Sequence, residues 1–278
     1  GRSRPFCIYL SHRPGHPPYK APDGIAGMYA DADVTEVLPP HADPLWYGKT
    51  KGNVFQGVMM GSYENKYRKY CETLTAMDRD ILRLLEELDT MGLADKTVVI
   101  YMGDNGFMFG EHGLIDKRVA YETSIRVPMV MQCPELFKGG TVVDEVVANI
   151  DIGPTVLDAA GVKKPPHMDG ASFIPVAQGR DVEWRDYFLY VYYWEKNFPQ
   201  SPTVFALRVD RYKYITYYGL WDTDELYDIQ ADPDETNNLI ASEAHQRIVR
   251  EMENELYARL AEVDGEFLDC RFEQNVGV

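Results

Sequence analysis

The stretch Thr97-Val-Val-Ile-Tyr-Met-Gly-Asp-Asn-Gly106 decides the fold class. Residues 97–102 form a short, continuous apolar run with β-branched side chains, which is typical of a strand buried on both faces of a parallel sheet. Before this run, residues 65–91 carry apolar side chains at i, i+3 and i+4 spacing, which predicts a long amphipathic helix. Gly92 is expected to end that helix. A helix followed by a buried strand indicates α/β layering.

Three more elements extend this pattern in both directions. Phe6-Cys-Ile-Tyr-Leu10 is a β-rich apolar run that we predict to be a buried strand. Val127-Pro-Met-Val-Met131 is a further strand candidate, and residues 152–160 are predicted to form a helix that ends at Gly161. Residues 1–180 are therefore predicted to belong to one α/β domain.

Beyond residue 180 the sequence becomes aromatic and alternating. Residues 187–194 and 203–217 predict antiparallel strands, and the second run can form a hairpin that turns at Asp210-Arg211. A closing helix follows, with apolar side chains at four-residue spacing: Ile248, Met252, Leu256 and Leu260. We predict a smaller antiparallel α+β subdomain over residues 181–278.

The composition excludes several classes of protein. The 278 residues include 28 Lys+Arg and 44 Asp+Glu, a net charge of −16, and 45% are apolar, so neither disorder nor a collagen-like structure is indicated. An acidic chain with a pI near 4.8 is a poor partner for nucleic acid, whose phosphates bind clustered Lys and Arg. No apolar run approaches the roughly 20 residues that cross a bilayer. The four cysteines form no C-x-x-C pair, and their redox state stays open.

Asp104 and Asn105 follow the predicted strand 97–102 directly. Open α/β proteins place their sites at the carboxyl ends of strands, and a carboxylate beside an amide oxygen suits Ca²⁺ or Mg²⁺. The sequence Asp-Asn-Gly is also favoured in turns that bind no metal. A metal site and a plain turn both remain possible for this tetrapeptide.

Lysine and histidine side chains offer complementary chemistry nearby. Lys117 presents a compact ammonium for an anionic oxygen, although a single lysine is more often solvated. His12 and His16 follow the first predicted strand, and an imidazole can donate a proton to a leaving alcohol near neutral pH. His112 lies close to another strand end. Each histidine fits a structural role equally well.

Taken together, residues 97–128 resemble the second metal- and sulfate-binding motif of the type I sulfatases, a branch of the alkaline phosphatase superfamily. The pattern is a strand followed by G-D-N-G-x₃-G-E-H-G-x₃-K-x₃-Y-E-x₃-R-V-P. The resemblance continues to residue 228 and covers nearly the whole chain, through residues 147–158, 168–172, 206–214 and 221–228. The last two segments are most similar to bacterial enzymes grouped with N-acetylglucosamine-6-sulfatase.

This resemblance implies a fold, a site and a reaction. The fold would be part of an alkaline-phosphatase-like α/β/α sheet followed by the smaller subdomain, in a periplasmic or secreted protein. Asp104 and Asn105 would be two ligands of a single Ca²⁺, Lys117 would hold a sulfate oxygen, and His16 would protonate the departing sugar hydroxyl. His12 and His112 would lie beside the sulfate or the sugar. Cations on the nonbridging oxygens and an acid on the bridging one are what sulfate ester cleavage requires.

Two features of the family pattern are absent from the sequence. The family uses a formylglycine nucleophile made from Cys or Ser in C/S-x-P-x-R, and an Asp-Asp pair completes its calcium site; neither motif occurs in the 278 residues. We therefore expect the chain to be the C-terminal part of a sulfatase, completed by an N-terminal segment or a partner chain. Alone it should bind calcium poorly, because two ligands replace the usual six to eight.

Three functions are compatible with these residues. The leading hypothesis is a sulfatase acting on a sulfated carbohydrate, with 6-sulfated N-acetylglucosamine as the substrate. A second is phosphoester or phosphonate hydrolysis within the same superfamily. A third is a non-catalytic glycan-binding module, in which Tyr192-Tyr-Trp194 and Trp221 stack on sugar rings. The same aromatic residues also fit the core of the subdomain.

Overall fold

The computed structural model describes residues 5–35, 63–199, 201–218 and 224–263. The helices are α1 (Tyr63–Thr90), α2 (Glu122–Ile125), α3 (Ile152–Ala159), α4 (Ile174–Ala177) and α5 (Gln246–Glu262). The strands are β1 (Val99–Met102), β2 (Met108–Phe109), β3 (Ile115–Asp116), β4 (Met129–Gln132), β5 (Tyr187–Tyr192), β6 (Thr203–Val209), β7 (Tyr212–Tyr218) and β8 (Glu225–Asp228). Single 3₁₀ turns lie at Ala94–Lys96, Glu111–Gly113, Asn149–Asp151 and Glu243–His245.

Helix α1 confirms the helix predicted over residues 65–91. It ends at Gly92, which has a φ of +65° and donates its N–H to the Asp89 carbonyl at 2.8 Å. The N–H of Leu93 reaches the Leu88 carbonyl at 2.9 Å, so two carbonyls of the last helical turn are satisfied by residues beyond the helix. Helix α3 likewise confirms the prediction for residues 152–160, and Gly161 follows it with a φ of +67°.

Strand β1 exists as predicted, but its surroundings differ from the prediction. It pairs antiparallel with β4, with Val99 opposite Gln132 and Met102 opposite Met129, and all four of its residues are only half-buried. Among the described residues no two strands pair in parallel. The predicted parallel sheet is not seen among the described residues, and β1 is half-buried where full burial was predicted. A continuous apolar run fits either environment, so its sequence cannot choose between them.

The predicted strand at residues 6–10 is also wrong. These residues form no strand, and Ile8 and Tyr9 are 66% and 90% exposed. A strand needs a neighbour for its backbone N–H and C=O groups, and none of the described strands pairs with this run. The loop that follows it lies on α1, where the Gly27 N–H donates to the buried Glu72 carboxylate at 2.8 Å.

The C-terminal sheet confirms the predicted antiparallel strands. Its strand order is β5-β6-β7-β8, with every pair antiparallel, and β6 and β7 form the hairpin that turns at Asp210-Arg211. One face packs on α5 through Met252, Leu256 and Leu260, in the predicted four-residue spacing. The domain division at residues 180 and 181 stays a prediction.

The other face of this sheet is covered by a segment from earlier in the chain. Residues 108–121 contribute Met108, Leu114, Val119, Ala120 and Tyr121 to a buried cluster with β6, β7 and β8. The sheet therefore lies between its own helix and the segment that contains Lys117. This arrangement places the segment that contains Lys117 on the C-terminal sheet.

Asp151 fixes the start of α3. Its buried carboxylate accepts the N–H of Ala148 at 2.8 Å and the N–H of Ala171 at 2.9 Å, and it is paired with Arg185. A side chain at Gly170 would come within 2.4 Å of the Ile150 carbonyl. This carboxylate ties the 148–171 region together, so its role is structural.

Candidate functional site

The loop that follows β1 is held by backbone contacts at both ends. The Gly103 N–H donates to the Pro128 carbonyl at 3.2 Å, and the Gly106 N–H donates to the Ser124 carbonyl at 2.8 Å. A Cβ on Gly106 would lie 2.0 Å from the Thr123 carbonyl oxygen, so only glycine fits there. Loop 103–106 is therefore pressed against the end of α2.

Asp104 and Asn105 lie at the outer side of this loop. Asp104 is exposed, and its Oδ1 accepts the Asn105 N–H at 2.9 Å. The Asn105 side chain donates its Nδ2 to the Gly106 carbonyl at 2.8 Å. That bond uses the nitrogen of the amide and leaves its oxygen, the atom that a hard cation prefers, for another partner.

This pair fits a hard cation by donor type but not by number. Among the described residues no three His, Cys, Asp or Glu side chains come together as a metal site. One carboxylate and one amide oxygen supply two of the six to eight ligands that Ca²⁺ takes. Any calcium held here would need most of its ligands from outside the described residues.

Lys117 follows the small β2–β3 hairpin, in which Phe109 pairs with Ile115. The preceding residue, Asp116, has a φ of +93°, a conformation that non-glycine residues rarely adopt. Strained backbone of this kind is common at functional sites. The Lys117 side chain is half-buried, and its carbonyl accepts the Ser124 hydroxyl at 2.5 Å.

Ser124 joins the two candidate segments. Its carbonyl holds the Gly106 N–H of the 103–106 loop, and its hydroxyl holds the carbonyl of Lys117. Ser124 is itself buried. The backbones that contain Asn105 and Lys117 are thus bound to the same residue, which sequence spacing alone did not reveal.

His12 and His16 lie in the exposed loop before α1. His16 Nδ1 is 2.7 Å from the Pro17 carbonyl. Within the described ranges no hydrogen bond or ion pair joins either histidine to Asp104, Asn105 or Lys117, so their assignment to one site stays a prediction.

Tyr19 brings this loop close to the hairpin that precedes Lys117. Its ring lies 5.6 Å from the Tyr70 ring of α1 and 6.1 Å from the Phe109 ring of β2. The pKa of Tyr19 is raised by burial and, to a lesser extent, by Tyr70 and Asp116. Among the described residues the buried Tyr19 hydroxyl has no hydrogen-bond partner. Tyr19 thus connects the histidine loop to the β2–β3 hairpin, a contact that the sequence did not predict.

His112 is packed against the C-terminal subdomain. Its ring stacks on Tyr121 with 3.7 Å between centroids and 8° between planes. Burial, aided by the positive charge of Lys213, lowers the pKa of His112 to about 4. At neutral pH this imidazole is uncharged, so it can accept or donate a hydrogen bond but cannot act as a cationic sulfate ligand.

Comparison with known proteins agrees with this geometry. Residues 1–162 match the family model described as sulfatase, and residues 110–262 match the model described as N-sulphoglucosamine sulphohydrolase, C-terminal. The chain is 34% identical, over 211 residues, to an N-acetylglucosamine-6-O-sulfatase of Bacteroides thetaiotaomicron. That alignment covers 74% of this chain and 37% of the relative.

Solved structures give the same result. A structure solved with its substrate D-glucosamine-2-N,6-O-disulfate aligns with a TM-score of 0.68 and 32% identity, covering 77% of this chain and 45% of the other. A phosphonate monoester hydrolase of Agrobacterium radiobacter shares the fold, with a TM-score of 0.71 at 21% identity, covering 89% of this chain and 55% of the other. The chain thus spans about half or less of the length of these relatives.

Fold and matches together define a protein of the alkaline phosphatase superfamily. Within that superfamily, the chain belongs to the sulfatase family, and its C-terminal half matches the C-terminal region of N-sulphoglucosamine sulphohydrolase. The described residues include no helix with the length and apolar character needed to cross a membrane.

Proposed function

We propose that the protein containing this chain hydrolyses sulfate esters of carbohydrates, with 6-sulfated N-acetylglucosamine as the substrate. The observation that carries this proposal is the contact of Ser124 with both candidate segments in a chain of the sulfatase family. The substrate is suggested by a relative that is 34% identical and is an N-acetylglucosamine-6-O-sulfatase.

Each candidate residue has a role in this proposal. Asp104 and Asn105 supply two oxygen ligands to Ca²⁺, and Lys117 neutralises a nonbridging sulfate oxygen. His16, which is exposed, gives a proton to the departing sugar oxygen. His12 lies beside the sulfate or sugar. For His112 we retain a neighbouring position, with its uncharged ring as a hydrogen-bonding group rather than an acid.

The remaining parts of the site would come from outside the described residues. Bound calcium would polarise the sulfate, and formylglycine would supply the nucleophile that the family uses. The same reasoning extends to the fold. We propose that this chain is part of an alkaline-phosphatase-like parallel α/β/α sheet in the complete protein, and we place that protein in the periplasm or outside the cell.

The test is an assay of the complete gene product on N-acetylglucosamine 6-sulfate and N-acetylglucosamine 6-phosphate. We expect sulfate release, and a loss in kcat of about 10²- to 10³-fold in Lys117→Ala and of about 10²- to 10⁴-fold in His16→Ala. Lys138→Ala and His167→Ala, at exposed positions, are the matched controls and should keep full activity. Equal losses in the controls, or no loss in the site variants, would contradict the proposed roles.

Phosphoester or phosphonate hydrolysis is the second candidate. This reaction is compatible with the fold that the chain shares with a phosphonate monoester hydrolase. The paired substrates separate the two reactions, because a phosphatase would prefer the 6-phosphate of the same sugar.

Glycan binding without catalysis is favoured by one specific observation. The side chains of Trp194 and Tyr193 are 53% and 48% exposed, whereas a role in the core of the subdomain would require them to be buried. The indole is held by its Nε1–H donating to the Pro199 carbonyl at 3.2 Å, which presents a fixed aromatic face. Phe198 lies four residues after Trp194, and its ring centroid is 3.2 Å from the guanidinium of Arg118. Arg118 directly follows Lys117 in the chain.

Titration of this chain with N-acetylglucosamine 6-sulfate tests the binding function. Trp194→Ala should weaken binding about fivefold or more if the indole stacks on the sugar, since such a contact contributes about 1 kcal/mol. Tyr257→Ala, at an exposed aromatic residue of α5, is the matched control. Trp221, the other aromatic residue in this hypothesis, lies outside the described residues.

A further inference from the structure

A buried lysine of the C-terminal sheet contacts the segment that contains Lys117. Lys213, on β7, is fully buried, and its Nζ lies 2.8 Å from Glu122 Oε1 and 2.5 Å from Glu235 Oε1. It also donates to the Ala120 carbonyl at 2.9 Å. Lys213 thus binds both a side chain and the backbone of the 117–125 segment.

Glu122 completes the connection from the other side. Its N–H donates to Glu235 Oε2 at 2.6 Å, and its carboxylate accepts the Arg208 Nε–H at 3.2 Å. Burial alone would raise the pKa of Glu122, but Lys213 and Arg208 outweigh it and hold the pKa below its usual value. Glu122 is therefore ionised and firmly held at neutral pH.

A short path of contacts leads from these charges to the candidate site. Residue 122 begins α2, and Ser124, two residues later, holds both the Lys117 carbonyl and the Gly106 N–H. On the other side of the segment, Tyr121 donates its hydroxyl to the buried Glu225 at 3.1 Å. The segment is thus bound by polar groups from β7, β8 and the loop after β8.

Such a network is costly to build for stability alone. A buried ion pair loses much of its Coulomb energy to desolvation, and well-packed apolar residues of similar volume often stabilise as well or better. Buried charges fix geometry more strictly than apolar contacts do, since their hydrogen bonds are directional. The network holds residues 120–122, three to five residues after Lys117, where such strictness would serve binding of an anion.

We propose that Lys213, Glu122 and Glu235 are positioning residues that fix the Lys117 segment and the 103–106 loop against the C-terminal sheet. This inference rests on the proposed function of Lys117 as a sulfate ligand. The C-terminal sheet then contributes to sulfate binding. The binding of sulfate at Lys117 and the ordering of residues 117–125 are thermodynamically linked, so each favours the other.

The experiment compares the complete gene product with its Lys213→Met and Leu260→Ala variants. Leu260 is fully buried on the opposite, α5-covered face of the sheet, and it belongs to the apolar cluster there. Urea unfolding sets conditions in which the two variants have equal stability. Hydrogen exchange then reports on residues 117–125 and on strands β6 and β7, and calorimetry gives the affinity for inorganic sulfate.

In Lys213→Met, exchange in residues 117–125 should rise about tenfold more than in β6 and β7, and sulfate affinity should fall about tenfold, as for other residues that support a ligand. Leu260→Ala should raise exchange in the sheet and keep sulfate affinity within about twofold. Equal losses of affinity in the two variants, or unchanged exchange in residues 117–125, would overturn the proposal.

Two further variants keep the test decisive. If Lys213→Met does not fold, Glu122→Gln preserves the shape and removes the charge, and it should give the same pattern at a smaller size. Lys117→Ala tests the proposed function separately: sulfate affinity unchanged by this substitution, or undetectable sulfate binding by the unaltered complete protein, would refute the role of Lys117. In either case the exchange data alone would still decide whether Lys213 orders the segment.

Discussion

The two ends of this chain use similar apolar sequences with opposite results. Val-Phe-Ala-Leu at residues 204–207 is buried in a sheet whose strands all find partners, whereas Phe-Cys-Ile-Tyr-Leu at residues 6–10 is exposed and forms no strand. A β-prone run becomes a strand only when a neighbour binds its backbone and a second layer covers its side chains. The C-terminal sheet meets both conditions from within the described chain.

The largest expected effect comes from breaking the buried charges that join the two regions. Glu122→Ala leaves Lys213 buried with one partner fewer, and we expect the free energy of unfolding to fall by about 3–5 kcal/mol. The control is Asp80→Ala, which removes the exposed ion pair with Arg83 on α1 and should cost less than about 0.5 kcal/mol. Urea denaturation measures the free energy of unfolding of both variants. Similar losses would show that the buried ion pairs stabilise the fold no more than an exposed ion pair does.

The next effect tests the contrast between the regions directly. Leu256→Ala removes a fully buried side chain from the face covered by α5 and should cost about 2–5 kcal/mol. Ile8→Ala, at a residue that is 66% exposed, should leave stability within about 0.5 kcal/mol. A large cost for Ile8→Ala in the isolated chain would mean that the 6–10 run packs in solution and is not exposed.

Acid should weaken the contact between the regions through His112. Because its pKa is lowered to about 4, the folded protein binds the proton less well than the unfolded chain. The stability from the neutral ring is complete above a pH of about 6.5 and is lost as the pH falls towards 4, by up to about 3 kcal/mol. His112→Asn, which tolerates the φ of +54°, should show a smaller loss over this range. NMR titration of His112 near pH 6.5 instead would contradict the burial of its ring.

The smallest effect concerns a locally determined element in the first region. Gly92→Ala places a side chain at a φ of +65° after α1 and should cost about 1 kcal/mol. Gly139→Ala, where an added Cβ meets no atom within 4 Å, should change stability little. Thermal unfolding of the two variants would show whether α1 is ended by its own sequence.

The sequence was sufficient where structure depends on local rules. Helix α1 with its glycine, the turn at Asp210-Arg211 and the spacing of Met252, Leu256 and Leu260 were all predictable, because each depends on neighbours within a few residues. The partners of β1 and of residues 6–10 were not, since an apolar run does not record which strand will lie beside it.

The candidate site divides in the same way. Asp104, Asn105 and Lys117 were predicted from the resemblance to the sulfatase motif, and the segments that contain them contact the same residue, Ser124. The links through Ser124 and Lys213 could not be predicted, because they join residues through tertiary contacts that have no sequence period. His112 was chosen as a substrate neighbour, but the stack on Tyr121 that lowers its pKa was invisible in the sequence.

The double coverage of the C-terminal sheet has a practical consequence for anyone who cuts the gene. A fragment starting at residue 181 would keep α5 but lose Met108, Leu114 and Tyr121. It would therefore expose an apolar surface formed by Val204, Ala206 and Ile215. Such a fragment would be prone to aggregate during expression. A fragment that starts before residue 108 should be better behaved, even though the C-terminal sheet itself begins at β5, about eighty residues later.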